Sequence, residues 1–271
     1  MTSALDTYAA SFLDPFDGRI TQPKIMDGSV TRSSGLKFRQ TGNITLDATG
    51  ADNWLVVLPS FSCGFYYRSG TNAFNSPLLY TQHLGTTSLR SNLRRVRLVS
   101  SGLKLSLLNS SDDNEGYWEA VRIPVTDLVI RDATAPIGED YAVQLPNSFA
   151  LTNLADYPSF QTGRLRDIHR FLFKLNSVAP DHPFKETIPA SANLSLKDAY
   201  DEQFDMIAIR IVGRIDPVSP SMLQFDHMSN QEVVYKDDTV MSRLATINTM
   251  VPNMDILLDR TRFVLPAIQI A

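Results

Sequence analysis

The stretch Ser34 to Asp47, SGLKFRQTGNITLD, sets Leu36, Phe38, Ile44 and Leu46 at even positions and Lys37, Arg39, Thr41, Asn43, Thr45 and Asp47 at odd ones. A period of two sustained over this length is that of a β-strand with one apolar and one polar face. The same signature returns along the chain. NWLVVLPSFSCGFYYR (53–68) is almost wholly apolar and aromatic, broken by Pro59 and Gly64, and reads as a buried strand followed by a bend or a second strand. RRVRLVSSGLKLSLLN (94–109) alternates through Val96 and Leu98 and then through Leu103, Leu105 and Leu107; the phase changes at Ser100-Ser101-Gly102, which predicts a bulge there. The polar turn DDNEG leads into YWEAVRIPV (117–125), and the two runs read as one long hairpin. FDMIAIRIVGR puts Ile207, Ile209 and Ile211 on one face, and SMLQFDHMSNQEVVYK reads as a last strand pair.

Helical signal is sparse. Leu5, Tyr8, Ala9 and Phe12 keep helical spacing behind a cap at Ser3, and Asp14-Pro15 stops the helix. A short helix is expected near 148–154. The run 163–176 satisfies both periods, and a strand from about Asp167 is the preferred reading. No amphipathic helix separates strand from strand, which excludes βαβ units, and no repeat of ~40 residues suggests a propeller. The expected fold is all-β: a single jelly-roll β-sandwich of about eight strands with long loops and one or two short helices. Its divisions are a helix and extended connector over 1–32, a shell domain over 33–240 and a C-terminal extension over 241–271.

A chain of 271 residues with 43% hydrophobic residues can build such a core as one domain, and a net charge of −4 gives no general attraction to nucleic acid. Cys63 is alone, so no internal disulfide is possible, and its aromatic neighbours suggest a buried thiol. The first residues show neither a basic nor a continuous apolar run, so no signal peptide is expected, and no apolar run is long enough to span a bilayer; on that expectation the sequons at Asn43, Asn109 and Asn193 read as chance matches.

No glycine-rich phosphate loop and no GxSxG motif occurs, and His83, His169, His182 and His227 lie far apart without ligand spacing. No catalytic or cofactor-binding residue is therefore assigned. Asp112, Asp113 and Glu115 are hard oxygen ligands dense enough to hold a calcium ion shared between subunits, although the EF-hand order is not met and a solvated turn is the plainer reading. Arg90, Arg94, Arg95 and Arg97 form the densest basic cluster. Arg95 and Arg97 oppose Val96 and Leu98 in parity, so they are expected on a polar strand face, either touching phosphates, pairing with carboxylates at subunit contacts or simply solvating an exposed face.

Four segments carry a resemblance. SALDTYAASFLDPFDGRI with SSGLKFRQTGNITL, VSSGLKLSLLNSSDDNEGYWEAVRIP, DEQFDMIAIRIVGR and SNQEVVYKDDTVMSRLAT, in this order, resemble the shell domain of capsid proteins of circular Rep-encoding single-stranded DNA viruses with noda- or tombus-like jelly rolls, including the diatom-infecting, bacilladnavirus-like kind. The resemblance implies a structural protein of the virion that self-assembles into an icosahedral homo-oligomeric shell around a genome, single-stranded DNA rather than RNA, with no enzymatic activity and no membrane partner. Such proteins often carry an arginine-rich N-terminal arm. This chain opens on an acidic-leaning helix, so genome contact is a weaker expectation than assembly. The rival readings are a carbohydrate-binding β-sandwich, using exposed Tyr66, Tyr67 or Trp118, and a metal-dependent jelly-roll enzyme.

Overall fold

The computed structural model describes residues 4–27, 31–49, 52–61, 63–68, 79–82, 92–109, 116–124, 129–131, 141–143, 154–177, 183–186, 201, 203–216 and 218–247. They contain helix α1 (Ala4–Leu13) and strands β1 (Arg32–Thr45), β2 (Asn53–Val57), β3 (Cys63–Arg68), β4 (Leu79–Gln82), β5 (Leu93–Leu107), β6 (Tyr117–Pro124), β7 (Val129–Arg131), β8 (Tyr141–Val143), β9 (Gln161–Arg164), β10 (Leu172–Lys174), β11 (Lys185–Glu186), β12 (Asp205–Val212), β13 (Met222–Tyr235) and β14 (Thr246–Ile247). Among them no helix is long and apolar enough to cross a membrane.

One sheet runs β10-β5-β13-β1-β14, with β11 also on β5; the other runs β4-β3-β2-β12-β6-β9, and β7 pairs with β8. Eight strands form the roll: β10, β5, β13 and β1 in the first layer, β2, β12, β6 and β9 in the second. Numbered along the chain, the layers read 6-3-8-1 and 2-7-4-5. The chain crosses between layers at every connection of the roll except β6 to β9. This is the double Greek key of a jelly roll, the expected fold class.

The crossing pattern corrects the expected β5–β6 hairpin. β5 pairs with β13, β10 and β11, whereas β6 pairs with β12 and β9. Leu103 and Leu105 on one strand and Trp118 and Ala120 on the other share one core from opposite layers, which a flat hairpin would not allow. The expected strand pair near the C-terminus is instead the single 14-residue β13. Its polar run needs no turn, because Ser229, Asn230, Gln231 and Glu232 are all buried and bonded within the fold.

β1 behaves as its alternation predicts. Lys37, Arg39, Thr41, Asn43 and Thr45 are exposed, while Ile44 joins the core and Leu36 and Phe38 pack at its border. Ile207, Ile209 and Ile211 face inward at no more than 3% exposure. The bulge lies one residue before its expected place: Asn230 faces Ser100 and Gln231 faces Leu98, leaving Val99 as the extra residue. The extra residue turns Val99 to the outer side, where it packs with Tyr8, Ala9 and Ile25. Residues 4–27 thus form a strap across the outer face of β5, β13 and β1. At Gly35 a Cβ would stand 2.4 Å from the Pro23 nitrogen, so the close approach of the strap requires glycine there. The strand expected from Asp167 is a 3-10 turn, Leu165–Arg170, followed by the short β10; Leu165 and Ile168 plug the end of the sandwich, so the helical offsets, not the alternation, decided this segment. The helix expected near 148–154 falls largely outside the described residues, and Leu154–Asp156 is a 3-10 turn.

Candidate functional site

The basic cluster divides on folding. Arg90 lies outside the described residues. Arg97 is 1% exposed and does not face solvent. Its Nε donates to Glu232 Oε2 at 2.9 Å, its Nη2 approaches the same oxygen at 2.7 Å, and its Nη1 donates to Asp27 Oδ2 at 2.6 Å. Glu232, wholly buried, also accepts the Ile25 amide at 3.0 Å and the Ser33 hydroxyl. Arg97 lies on the face that its parity predicts, but the strap covers that face. Its expected role as a phosphate contact is therefore corrected: the charge is held inside the chain by two carboxylates, and the Phe184 ring lies 4.0 Å from the guanidinium carbon. Arg94 remains outward, half-exposed, 3.8 Å from the open carboxylate of Asp237, and Arg95 is half-buried.

Other cations of this face are turned to the strap as well. Lys37 donates to Ile20 O at 2.9 Å, Lys104 lies 3.6 Å from Asp14 and Lys174 donates to Phe12 O at the end of α1. Lys24, on the strap, donates to Ser33 O at 2.6 Å and Thr246 Oγ1 at 2.7 Å, and burial holds its ammonium below the usual lysine range. A second polar group joins the layers: Arg122 of β6 donates to Asp205 Oδ2 and to Lys174 O, each at 2.7 Å. Burial pushes the Asp205 carboxyl above the usual carboxylate range, against the opposing pull of the Asn176 amide and Arg122.

Asp112, Asp113 and Glu115 lie outside the described residues, as do His83 and His182 and the side chains of Cys63 and Tyr66. Among the described residues no group of three His, Cys, Asp or Glu side chains is placed to hold a metal ion. Of the aromatics named for a sugar site, Trp118 and Tyr67 are structural. Trp118 is fully buried, edge-on to Phe171 at 4.6 Å and Phe173 at 5.4 Å, and the half-buried Tyr67 donates its hydroxyl to Thr45 O at 2.8 Å.

What sequence reading missed is one end of the roll. Thr45 faces Met222, Leu107 faces Leu223, Ile211 faces Asn53, and Tyr117 faces both Val212 and Arg164. The β1–β2, β5–β6, β9–β10 and β12–β13 connections therefore all emerge at this end. Here Ile215 is 72% and Val218 91% exposed, with Leu108, Tyr117 and Met222 also open to solvent. The available signal was the pair of branched apolar residues flanking Asp216-Pro217, where a solvated turn would carry polar ones.

The architecture and its relatives agree. The chain is 27% identical over 300 residues to the capsid protein of Chaetoceros diatodnavirus 1, covering 88% of this chain and 75% of that one. It is 28% identical over 293 residues to the capsid protein of Avon-Heathcote Estuary associated kieseladnavirus, covering 86% and 79%. Among solved structures, it superposes on the protein of infectious bursal disease virus-derived T=1 particles with a TM-score of 0.51 at 12% identity, over 96% of this chain and 90% of that one, and on that of the T13 particle of the same virus with a TM-score of 0.51 over 97% and 92%. At that identity the likeness speaks for the fold alone. The family model described as Shotokuvirus capsid protein matches residues 3–78 and 66–195, and the chain belongs to that family, the structural, non-enzymatic capsid proteins of single-stranded DNA viruses, which reside in the virion.

Proposed function

We propose that copies of this chain close into an icosahedral shell around a single-stranded DNA genome, and that the end of the roll carrying the four converging connections is a principal contact between copies. The observation that carries this reading is the exposure of Ile215 and Val218 beside Leu108, Tyr117 and Met222. Single exposed apolar residues need no explanation, but several gathered on one end mark a surface that another molecule covers. Repetition of a modest contact around symmetry axes holds a shell together without any one strong interface. Genome contact rests on Arg94 and Arg95: the Arg94–Asp237 pair is open to water and screened, so the Arg94 charge can be offered to phosphate.

The test is an Ile215→Asp/Val218→Asp double variant examined by negative-stain electron microscopy and size exclusion. The expected result is a folded subunit, with an unchanged circular dichroism melt, that no longer forms spherical particles. Particles in normal yield would remove this end of the roll from the assembly contacts. The ratio of absorbance at 260 and 280 nm, measured on wild-type particles and on an Arg94→Ala/Arg95→Ala variant, tests the genome element; it should fall in the variant.

A further inference from the structure

A recess of about 320 Å³ opens between α1 and the residues at the end of β10, lined by Ser11 and Phe12 of α1, Val99 and Ser100 of β5, and Lys174 to Ser177, with Phe204. Lys174 brings a cation to it. Its Nζ donates to Phe12 O, and among the described residues it has no carboxylate in ion-pair contact. The nearby acids are already engaged. Asp205 accepts Arg122 at 2.7 Å and the Asn176 amide at 2.6 Å, and Asp14 faces Lys104 at 3.6 Å. A largely desolvated ammonium held only by one carbonyl is costly unless an anion reaches it.

The rest of the lining suits an oxyanion. Ser100 Oγ accepts the Asn230 side-chain amide at 2.9 Å, which leaves its own proton to donate. Asn176 is exposed and lines the recess, and a side-chain amide offers two further donors. Burial, with Arg122 nearby, holds the Lys174 ammonium below the usual lysine range, and a bound anion would reverse that bias.

We propose that this recess is an oxyanion site that takes a phosphate group, with Lys174 as its cation and Ser100 and Asn176 as neutral donors. The phosphate arrives either as the free ion or as a phosphodiester of a single strand; the chemistry of recognition is shared. It is independent of the assembly contact at the other connections.

The experiment is a calorimetric titration of the full chain with sodium phosphate at constant ionic strength, for wild type, Lys174→Gln and Asn176→Asp. Wild type should show saturable binding. Loss of one charge-assisted hydrogen bond in Lys174→Gln should weaken the dissociation constant by roughly tenfold. Asn176→Asp changes only an exposed side chain, so it keeps the test alive if Lys174→Gln does not fold; its new carboxylate at the mouth should abolish the saturable phase. Unsaturable heats in wild type, or the same dissociation constant in Asn176→Asp, would overturn the proposal. A parallel titration with an oligothymidylate separates the sources. Binding lost with Asn176→Asp assigns the site to a strand phosphate, and oligothymidylate binding that ignores it while inorganic phosphate binding is lost assigns the site to the free ion.

Discussion

Replacing Glu232 by Gln is the sharpest test of how the strap is attached. The carboxylate is wholly buried and receives four contacts: Arg97 Nε at 2.9 Å, Arg97 Nη2 at 2.7 Å, the Ile25 amide at 3.0 Å and the Ser33 hydroxyl. A glutamine is nearly the same size, so packing is kept. It has one accepting oxygen in place of two and no charge, so either the Arg97 and Ile25 donors face an amide group or the Ser33 hydroxyl must turn to accept from it. The Arg97 charge then keeps Asp27 but loses its second carboxylate in a dry site. Breaking a buried pair from one side costs about 3–5 kcal/mol. For a domain of this size that lowers the melting temperature by roughly 10 °C. Urea unfolding of the disassembled protein, followed by the fluorescence of the buried Trp54 and Trp118, measures the loss, and limited proteolysis near residues 24–27 reports release of the strap. A paired Arg97→Met/Glu232→Leu variant removes both charges of the buried pair and should recover part of the lost stability, the remainder reflecting the contacts that Asp27, the Ile25 amide and the Ser33 hydroxyl lose. A Glu232→Gln variant within 1 kcal/mol of wild type, with the strap no more sensitive to protease, would refute this account of the bridge.

Ile209→Asp should yield no soluble, folded protein: the side chain is fully buried between β2 and β6 partners, and a carboxylate there meets only apolar neighbours, so a normal melt of this variant would displace β12 from the core. Asp205 governs a pH dependence. Because burial raises its folded-state pKa above 3.8, the folded protein binds the proton more tightly than the unfolded chain, and this contribution is fully present below pH 3.8 and fades as pH rises through the raised value. The stability of wild type relative to Asp205→Asn should therefore grow as pH is lowered through that window; a difference that shrinks would mean that Arg122 dominates and the shift has the opposite sign.

Periodicity carried the local structure because one-sided burial leaves a direct trace in the chain. The alternation of β1, the isoleucines of β12 and the amphipathic α1 were legible for that reason, and a phase change between Leu98 and Leu103 announced the bulge. The resemblance carried the family, through four segments spread across the chain. The 163–176 run was ambiguous since its apolar spacing fits both periods, and only contact with Trp118 and the end of the core selected the turn.

Partnership is what the sequence by itself did not contain. The strand period puts Leu103, Leu105 and Leu107 on one face, but it does not show that they meet Trp118 from the facing layer instead of lying beside it in one hairpin. Parity places Arg97 opposite Val96 and Leu98, and it was read as a wet face because nothing local says that residues 4–27 will lie over it. Charge has the same limit. Arg94 and Arg97 are three residues apart in one basic run, yet one faces water and the other is enclosed by Asp27 and Glu232, 70 and 135 residues away along the chain. The apolar pattern determined the strands, since each strand buries its own face. The tertiary structure decided the layer order, the covered and open sides of the sheets, and the end left with Ile215 and Val218 exposed, because these depend on which distant segments meet.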